Sequence, residues 1–187
     1  MAAISTIGRH TVVWVAALLV AVAVVAVGLT LLLAGGDDKP QDIKAGVPIE
    51  VSEDELRSFA GSTDQLVYWA GPLPQTKLEL TRNARRDNFV RYLSGGAEKG
   101  DKRAEFTTVS TYPYERAFEK TTKAGKGPDM VSRAAPGGGL AIWSTKRPTS
   151  VYLAYPGSDD LVEVFDPDAA RARDLVTGLD FPIVAAE

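Results

Sequence analysis

The sequence contains no cysteine and a single histidine, and both shortages narrow the chemistry open to it. Without cysteine there can be no disulfide, thiolate metal ligand, cysteine nucleophile or lipidated N-terminal cysteine. The one histidine, His10, precedes a long apolar run, so the rest of the chain has no histidine to assist a nucleophile. A formal net charge of −3 also lacks the positive excess typical of nucleic-acid binders. We therefore expect no metal ligands, no cofactor and no nucleic-acid partner.

The most prominent feature that is present is an uncharged run of 24 residues from Thr11 to Ala34. A helix needs about 20 apolar residues to cross a bilayer, so residues 11–34 are predicted to form a transmembrane helix that acts as a signal-anchor. A cleaved signal peptide is the alternative, because Ala34, Gly35 and Gly36 could form a cleavage site. The apolar part of such peptides runs only about 7–15 residues, which favours retention of the anchor.

The residues beside the run predict its orientation in the cell membrane. Arg9 lies before it and two aspartates follow it, and positive charge favours the cytoplasmic side. Residues 1–10 are therefore predicted to be cytoplasmic and the C-terminal part extracytoplasmic, in a single-pass protein. Residues 35–48 are rich in Gly, Asp, Lys and Pro and are predicted to be a linker. Residues 49–187 have the size of one domain.

The domain is predicted to be α+β, with mostly antiparallel strands and about three helices. The first helix begins at a capping box, in which Ser52 and Glu55 satisfy each other's backbone amides. A second is predicted over 113–125, and a third has Asp166 as N-cap and Pro167 as its first residue. Strands are predicted from apolar alternation and turn residues over 65–70, 77–81, 89–93, 106–112, 140–144, 150–155 and 161–165.

Two parts of the domain share a pattern, which predicts a degenerate internal duplication with units 65–125 and 139–178. Leu66–Trp69 matches Leu140–Trp143, and each unit closes with a helix that begins at a proline and ends at a glycine. The alternative is that antiparallel α+β domains commonly show such similarities without duplication.

Five short strings of the domain resemble a group of uncharacterised single-span membrane proteins of actinobacteria. They are Tyr68–Pro72, Glu79–Arg82, Val90–Leu93, Thr111–Pro113 and Tyr155–Ser158. The resemblance implies one membrane anchor and one extracytoplasmic domain. The group has no known activity, so the resemblance carries over no site residue.

The familiar catalytic patterns are missing from the domain. No Ser-x-x-Lys pair occurs, and Gly125–Pro128 lacks the further glycine and the Ser or Thr of a phosphate loop. The carboxylates of Asp159, Asp160, Asp166 and Asp168 lie where turns and helix caps favour aspartate. We therefore expect a non-enzymatic protein, and a carboxylate-dependent cell-wall hydrolase is the least favoured interpretation.

One cluster of charge is denser than the rest. Arg82, Arg85, Arg86 and Arg91 lie on and beside one predicted hairpin, where they could contact an envelope protein, anionic lipid headgroups or an anionic wall polymer. A solvated hairpin tip is the alternative, because acidic residues outnumber basic ones after the predicted span. The sequence thus predicts a membrane-anchored binding or interaction module at the cell envelope. A structural subunit that docks through its transmembrane helix is the alternative.

Overall fold

The computed structural model describes residues 43–178 and 184–186. The predicted cytoplasmic segment 1–10, the predicted transmembrane helix 11–34 and most of the predicted linker lie outside this part of the chain. No helix within the described ranges is both long and apolar enough to cross a bilayer. The last residues of the predicted linker contact the domain: Ile43 packs against the core, and the Gly46 amide donates to the Arg82 carbonyl at 2.7 Å.

The described residues form an α+β fold with an eight-stranded antiparallel sheet and three helices, which confirms the predicted class. The helices are α1 (Glu53–Gly61), α2 (Ala117–Ala124) and α3 (Ala169–Thr177). The strands are β1 (Ile49–Val51), β2 (Tyr68–Trp69), β3 (Lys77–Arg82), β4 (Asn88–Leu93), β5 (Thr108–Pro113), β6 (Met130–Ala135), β7 (Gly139–Ser144), β8 (Arg147–Ala154), β9 (Asp160–Phe165) and β10 (Val184–Ala185). The sheet order is β1-β3-β4-β5-β9-β8-β7-β6, and β2 pairs with β10 separately.

The sheet consists of two four-stranded antiparallel halves that meet between β5 and β9. A helix follows the innermost strand of each half: α2 follows β5 and α3 follows β9. Counted outward from the junction, β5 corresponds to β9, β4 to β8 and β3 to β7. The segments matched from sequence are not equivalent by this count, because Leu66–Trp69 includes β2, outside the large sheet, whereas Leu140–Trp143 lies within β7.

Side chains alternate between the two faces of the sheet, and other parts of the domain cover both faces. On one face, α1 and α3 bury Leu56, Leu175 and Val176 against strand residues such as Leu80 and Val162. We call this the α1/α3 face. On the opposite face, α2 places Ala117 against Ala154 and Leu161, which alternate with the residues of the main core.

The first half of this opposite face is covered by the segment 94–107 rather than by a helix. Leu93 at the end of β4 packs there with Ala97 and Phe106 of the segment. The Gly100 amide also donates to the carboxylate of Glu79 on β3. Glu79 alternates with the core residues Leu78 and Leu80, and this sequence pattern predicts that it faces water. Its exposed fraction is instead 1%, because the segment 94–107 folds back over it.

The starts of α1 and α2 show where a local sequence signal predicts a helix boundary correctly and where it does not. The capping box before α1 is confirmed: the Ser52 amide donates to the Glu55 carboxylate at 2.7 Å, and the Glu55 amide donates to Ser52 Oγ at 3.2 Å. The predicted start of α2 at Pro113 is wrong, because Pro113 ends β5. The Tyr114 amide donates to the Asp159 carbonyl at 2.6 Å, and the left-handed backbone of Arg116 (φ 56°) then precedes the helix.

Candidate functional sites

The predicted basic cluster lies around the turn between β3 and β4, but its four arginines occupy different surfaces. Arg82 lies on the α1/α3 face, with its guanidinium 5.6 Å from the centre of the Phe59 ring. Arg85 forms an ion pair with Asp87 at 3.4 Å, and Arg86 forms one with Asp64 at 3.1 Å. These contacts neutralise most of the positive charge at the turn.

Arg91 lies on the opposite face of the same strand pair. Its Nη1 atom donates to Glu79 Oε1 at 2.7 Å, and its Nη2 atom donates to the Arg103 carbonyl at 3.0 Å. The guanidinium also lies 5.2 Å from the centre of the Phe106 ring. Arg91 therefore fastens the segment 94–107 to the sheet, and the structure does not bring it together with Arg82, Arg85 and Arg86.

The basic residues of this covering segment are partly compensated by acidic neighbours. Arg103 donates to Asp101 Oδ2 at 2.7 Å and to Glu105 Oε1 at 2.6 Å. Hydrogen bonds from the Arg103 side chain and backbone lower the pKa of Asp101 to about 2. Lys99 and Lys102 are exposed beside this network.

A tyrosine–glutamate cluster on the sheet face that carries α2 was not anticipated from sequence. The Tyr112 hydroxyl donates to Glu163 Oε2 at 2.8 Å, and Tyr152 lies on the other side of the same carboxylate. Burial raises the pKa of both tyrosines, and the negative charge of Glu163 raises it further. The three residues belong to adjacent strands, so only the strand order brings them together.

The buried carboxylate of Asp166 is held by hydrogen bonds within the domain. Asp166 is 3% exposed: its carboxylate accepts from Thr107 Oγ1 at 2.6 Å and from the Asp168 amide at 2.8 Å. Near the start of β9, burial raises the pKa of Asp160, and burial together with the charge of Asp160 raises the pKa of Tyr68 to about 12. The carboxamide of Asn88 is buried without a hydrogen-bond partner among the described residues.

A groove of about 550 Å³ lies beside the start of α1. Its lining includes Glu50, Glu53, Glu55 and Lys77. Glu50 forms an ion pair with Lys77 at 3.4 Å, and Glu55 belongs to the capping box, so local contacts engage two of the three carboxylates.

The edge strand β6 is another feature that sequence analysis missed. Residues 130–135 show no clear apolar alternation, since their order is Met, Val, Ser, Arg, Ala and Ala. The strand forms by pairing with β7 over its whole length, from Met130 opposite Ser144 to Ala135 opposite Gly139. The register with β7, and not the local pattern, identifies it.

Over residues 43–178 and 184–186, no group of three or more His, Asp or Glu side chains is arranged to hold a metal ion. Comparisons of the chain with family models, curated proteins and solved structures gave no match.

Proposed function

We propose that this chain is a membrane-anchored, non-enzymatic binding module of the cell envelope. Residues 11–34 would anchor it, residues 1–10 would lie in the cytoplasm, and the domain would lie outside. The uncharged run, with Arg9 before it and aspartates after it, supports this arrangement. The resemblance to single-span actinobacterial proteins has the same implication.

The observation that supports a binding role is that three carboxylates of the domain hold parts of the fold together. Glu79 is held by Arg91, Asp166 by Thr107 and Glu163 by Tyr112. Each of these contacts joins a carboxylate to a neighbouring strand or covering segment, which is a structural role. A domain whose carboxylates stabilise the fold in this way, and which is tethered to a membrane, is suited to presenting a surface to a partner.

The two-half arrangement of the sheet supports the internal duplication as part of this proposal. Each half is a four-stranded antiparallel unit that ends in a helix, and the innermost strands β5 and β9 pair at the junction. Duplication of one such unit would produce this order with a single new strand pair. Its units would then begin near β1 and β6 rather than at residues 65 and 139.

The experiment that tests the proposal separates the domain from the anchor. Replacing residues 11–34 by an unrelated transmembrane helix should preserve the partners that photo-crosslink to the domain in intact cells. A photoreactive residue at Arg86 reports on the arginine-rich turn, and one at Lys123, on the exposed side of α2, is the matched control. Loss of all captured partners after the exchange would contradict the proposal and favour a structural subunit that docks through its helix.

A second measurement tests the non-enzymatic part. The purified chain should not release soluble fragments from cell-wall glycans. Hydrolysis that disappears on substitution of one carboxylate, such as Glu163→Gln, would overturn the proposal in favour of a hydrolase.

A further inference from the structure

The eight-stranded sheet ends in one edge that is long enough to accept another strand. Its two terminal strands are β1, with three residues, and β6, with six. Edge strands expose unpaired backbone groups, and proteins commonly protect them with proline, lysine or a bulge. From Met130 to Ala135, β6 has no proline, no lysine and an uninterrupted register with β7.

The hydrogen bonds at the start of this strand show which backbone groups face outward. The Thr145 amide donates to the Asp129 carbonyl at 2.8 Å, so Asp129 faces β7. Because backbone direction alternates along an antiparallel strand, Ser132 and Ala134 turn their N–H and C=O groups away from β7. Within the described ranges, no hydrogen bond engages these four groups, and both residues are exposed.

The charge beside this edge is positive. Val131 and Arg133 project on the α1/α3 face, next to Trp143 and Ala141 of β7. Arg133 is exposed, and Arg173 of α3 lies with its guanidinium 5.9 Å from the centre of the Trp143 ring. Neither arginine forms an ion pair with a described residue.

The acidic groups nearby do not cancel this charge. Asp129 is held by Lys146 at 2.8 Å, and Asp174 is the only acidic residue in the last turns of α3. The opposite face of the edge carries the short or apolar side chains of Met130, Ser132 and Ala134, with Ser132 Oγ donating to the Gly125 carbonyl at 3.2 Å. The edge thus has a basic side and an uncharged side.

We propose that β6 binds an extended, acidic segment of a partner protein as an additional strand. The segment would pair with the outward N–H and C=O groups of Ser132 and Ala134. Its carboxylates would point toward Arg133 and Arg173, and its small or apolar side chains would lie on the other face. Antiparallel addition of a second copy of this chain is disfavoured, because it would bring the same arginines of both copies together.

This inference specifies the surface that the proposed binding module uses, and therefore rests on the proposed function. It can be tested with defined peptides and the full-length chain in mild detergent. The probe is a short fluorescent peptide in which Glu alternates with Val, and its control is the same peptide with Lys in place of Glu. Fluorescence anisotropy should show binding of the Glu peptide at least about tenfold tighter, equivalent to about 1.4 kcal/mol.

Two variants connect this preference to the edge. Arg133→Glu cancels the charge of the remaining Arg173 and should abolish the preference for the Glu peptide, whereas Lys123→Glu on the exposed side of α2 should leave it unchanged. Ala134→Pro removes one outward N–H group without removing a bond to β7, and should weaken the Glu peptide about tenfold or more. Binding should also slow hydrogen exchange at the amides of Ser132 and Ala134.

Equal affinity for both peptides, or affinity unaffected by Arg133→Glu and Ala134→Pro, would overturn the inference. Concentration-dependent self-association of the chain that Ala134→Pro abolishes would also overturn it, by assigning the edge to a second copy. Near-ultraviolet circular dichroism of each variant identifies one that has not folded. Carbonate extraction of the chain from membranes would contradict the anchored module while leaving the peptide result intact, so the two failures can be distinguished.

Discussion

At the scale of single residues, Glu79 is a charged strand residue that the tertiary structure buries. It faces Arg91 across the β3–β4 pair, and the backbone of the segment 94–107 closes over it. The carboxylate accepts from the Arg91 guanidinium and from the Gly100 amide, so it holds a strand and a covering segment together. Removing one residue of such an ion pair leaves the charge of the other residue buried without an opposite charge beside it.

We predict that Glu79→Gln lowers the free energy of unfolding by about 3 kcal/mol. The amide keeps the size of the side chain but leaves Arg91 without its carboxylate. Urea unfolding followed by tryptophan fluorescence measures the change. The matched control is Glu50→Gln, which removes the exposed ion pair with Lys77 and should cost less than about 1 kcal/mol. Equal effects of the two substitutions would contradict the buried role of Glu79.

Tyr68 makes a second prediction at the residue scale, on the dependence of stability on pH. Its pKa is raised from 10.0 to about 12, mainly by burial, so the unfolded chain loses this proton first as the pH rises. The stabilisation is complete below pH 10 and is lost between pH 10 and 12. Tyr68→Phe should therefore show a shallower loss of unfolding free energy over this interval, measured by urea unfolding. An unchanged slope would show that Tyr68 does not contribute to it.

At the scale of secondary-structure elements, the start of α3 separates two aspartates with different roles. Sequence analysis predicted Asp166 as the N-cap and Pro167 as the first helical residue, but α3 begins at Ala169. Asp168 is the N-cap, and its carboxylate accepts from the Ala170 amide at 2.8 Å. Asp166 instead binds Thr107, because the end of β9 lies beside the segment that leads into β5.

We predict that Asp168→Ala costs about 1 kcal/mol of unfolding free energy, as expected for an exposed cap. Asp166→Ala should cost about 3 kcal/mol, because it leaves the buried Thr107 hydroxyl and the Asp168 amide without their acceptor. Thermal or urea unfolding of both variants gives the comparison. A larger loss from Asp168→Ala than from Asp166→Ala would contradict the structural role assigned to the buried Asp166 carboxylate.

At the scale of the whole molecule, the junction between β5 and β9 unites the two halves of the sheet. It pairs six residues on each strand, from Thr108 opposite Phe165 to Pro113 opposite Asp160. Helix α2 belongs to the first half in sequence but packs on β7, β8 and β9 of the second. The first half therefore depends on the second to pair β5 and to bury α2, and the second half depends on the first to pair β9 and to cover one face of β7, β8 and β9.

We predict that neither half folds when it is produced alone by dividing the chain between Gly127 and Pro128. Separation would expose β5 or β9 as a new edge and would leave Ala117 of α2 without its partners Ala154 and Leu161. Co-expression of the two halves should restore a one-to-one complex on size-exclusion chromatography. A soluble, monomeric second half with cooperative unfolding would contradict this dependence.

The sequence predictions succeeded for features that depend on residues adjacent in the chain and failed for features that depend on residues far apart in it. The capping box at Ser52, the position of β3 and the ends of α2 and α3 at glycines each depend on a few adjacent residues, and the structure has them where they were expected. Strand β6 was missed because its formation depends on β7. The arginines at 82, 85, 86 and 91 were found as residues, but their partners could not be found, because these depend on covering segments and strand pairing.

The sequence by itself determined the α+β class, the candidate anchor at 11–34 and the absence of cysteine and histidine chemistry from the domain, since these depend on composition and local periodicity. Only the tertiary structure decided that Glu79 is buried, that Arg91 is separated from the other arginines and that β6 forms a sheet edge. The physical reason is that the order of strands in an antiparallel sheet sets contacts between residues far apart in the chain. A local pattern indicates which face of the sheet a side chain occupies, but it does not indicate which segment of the chain covers that face.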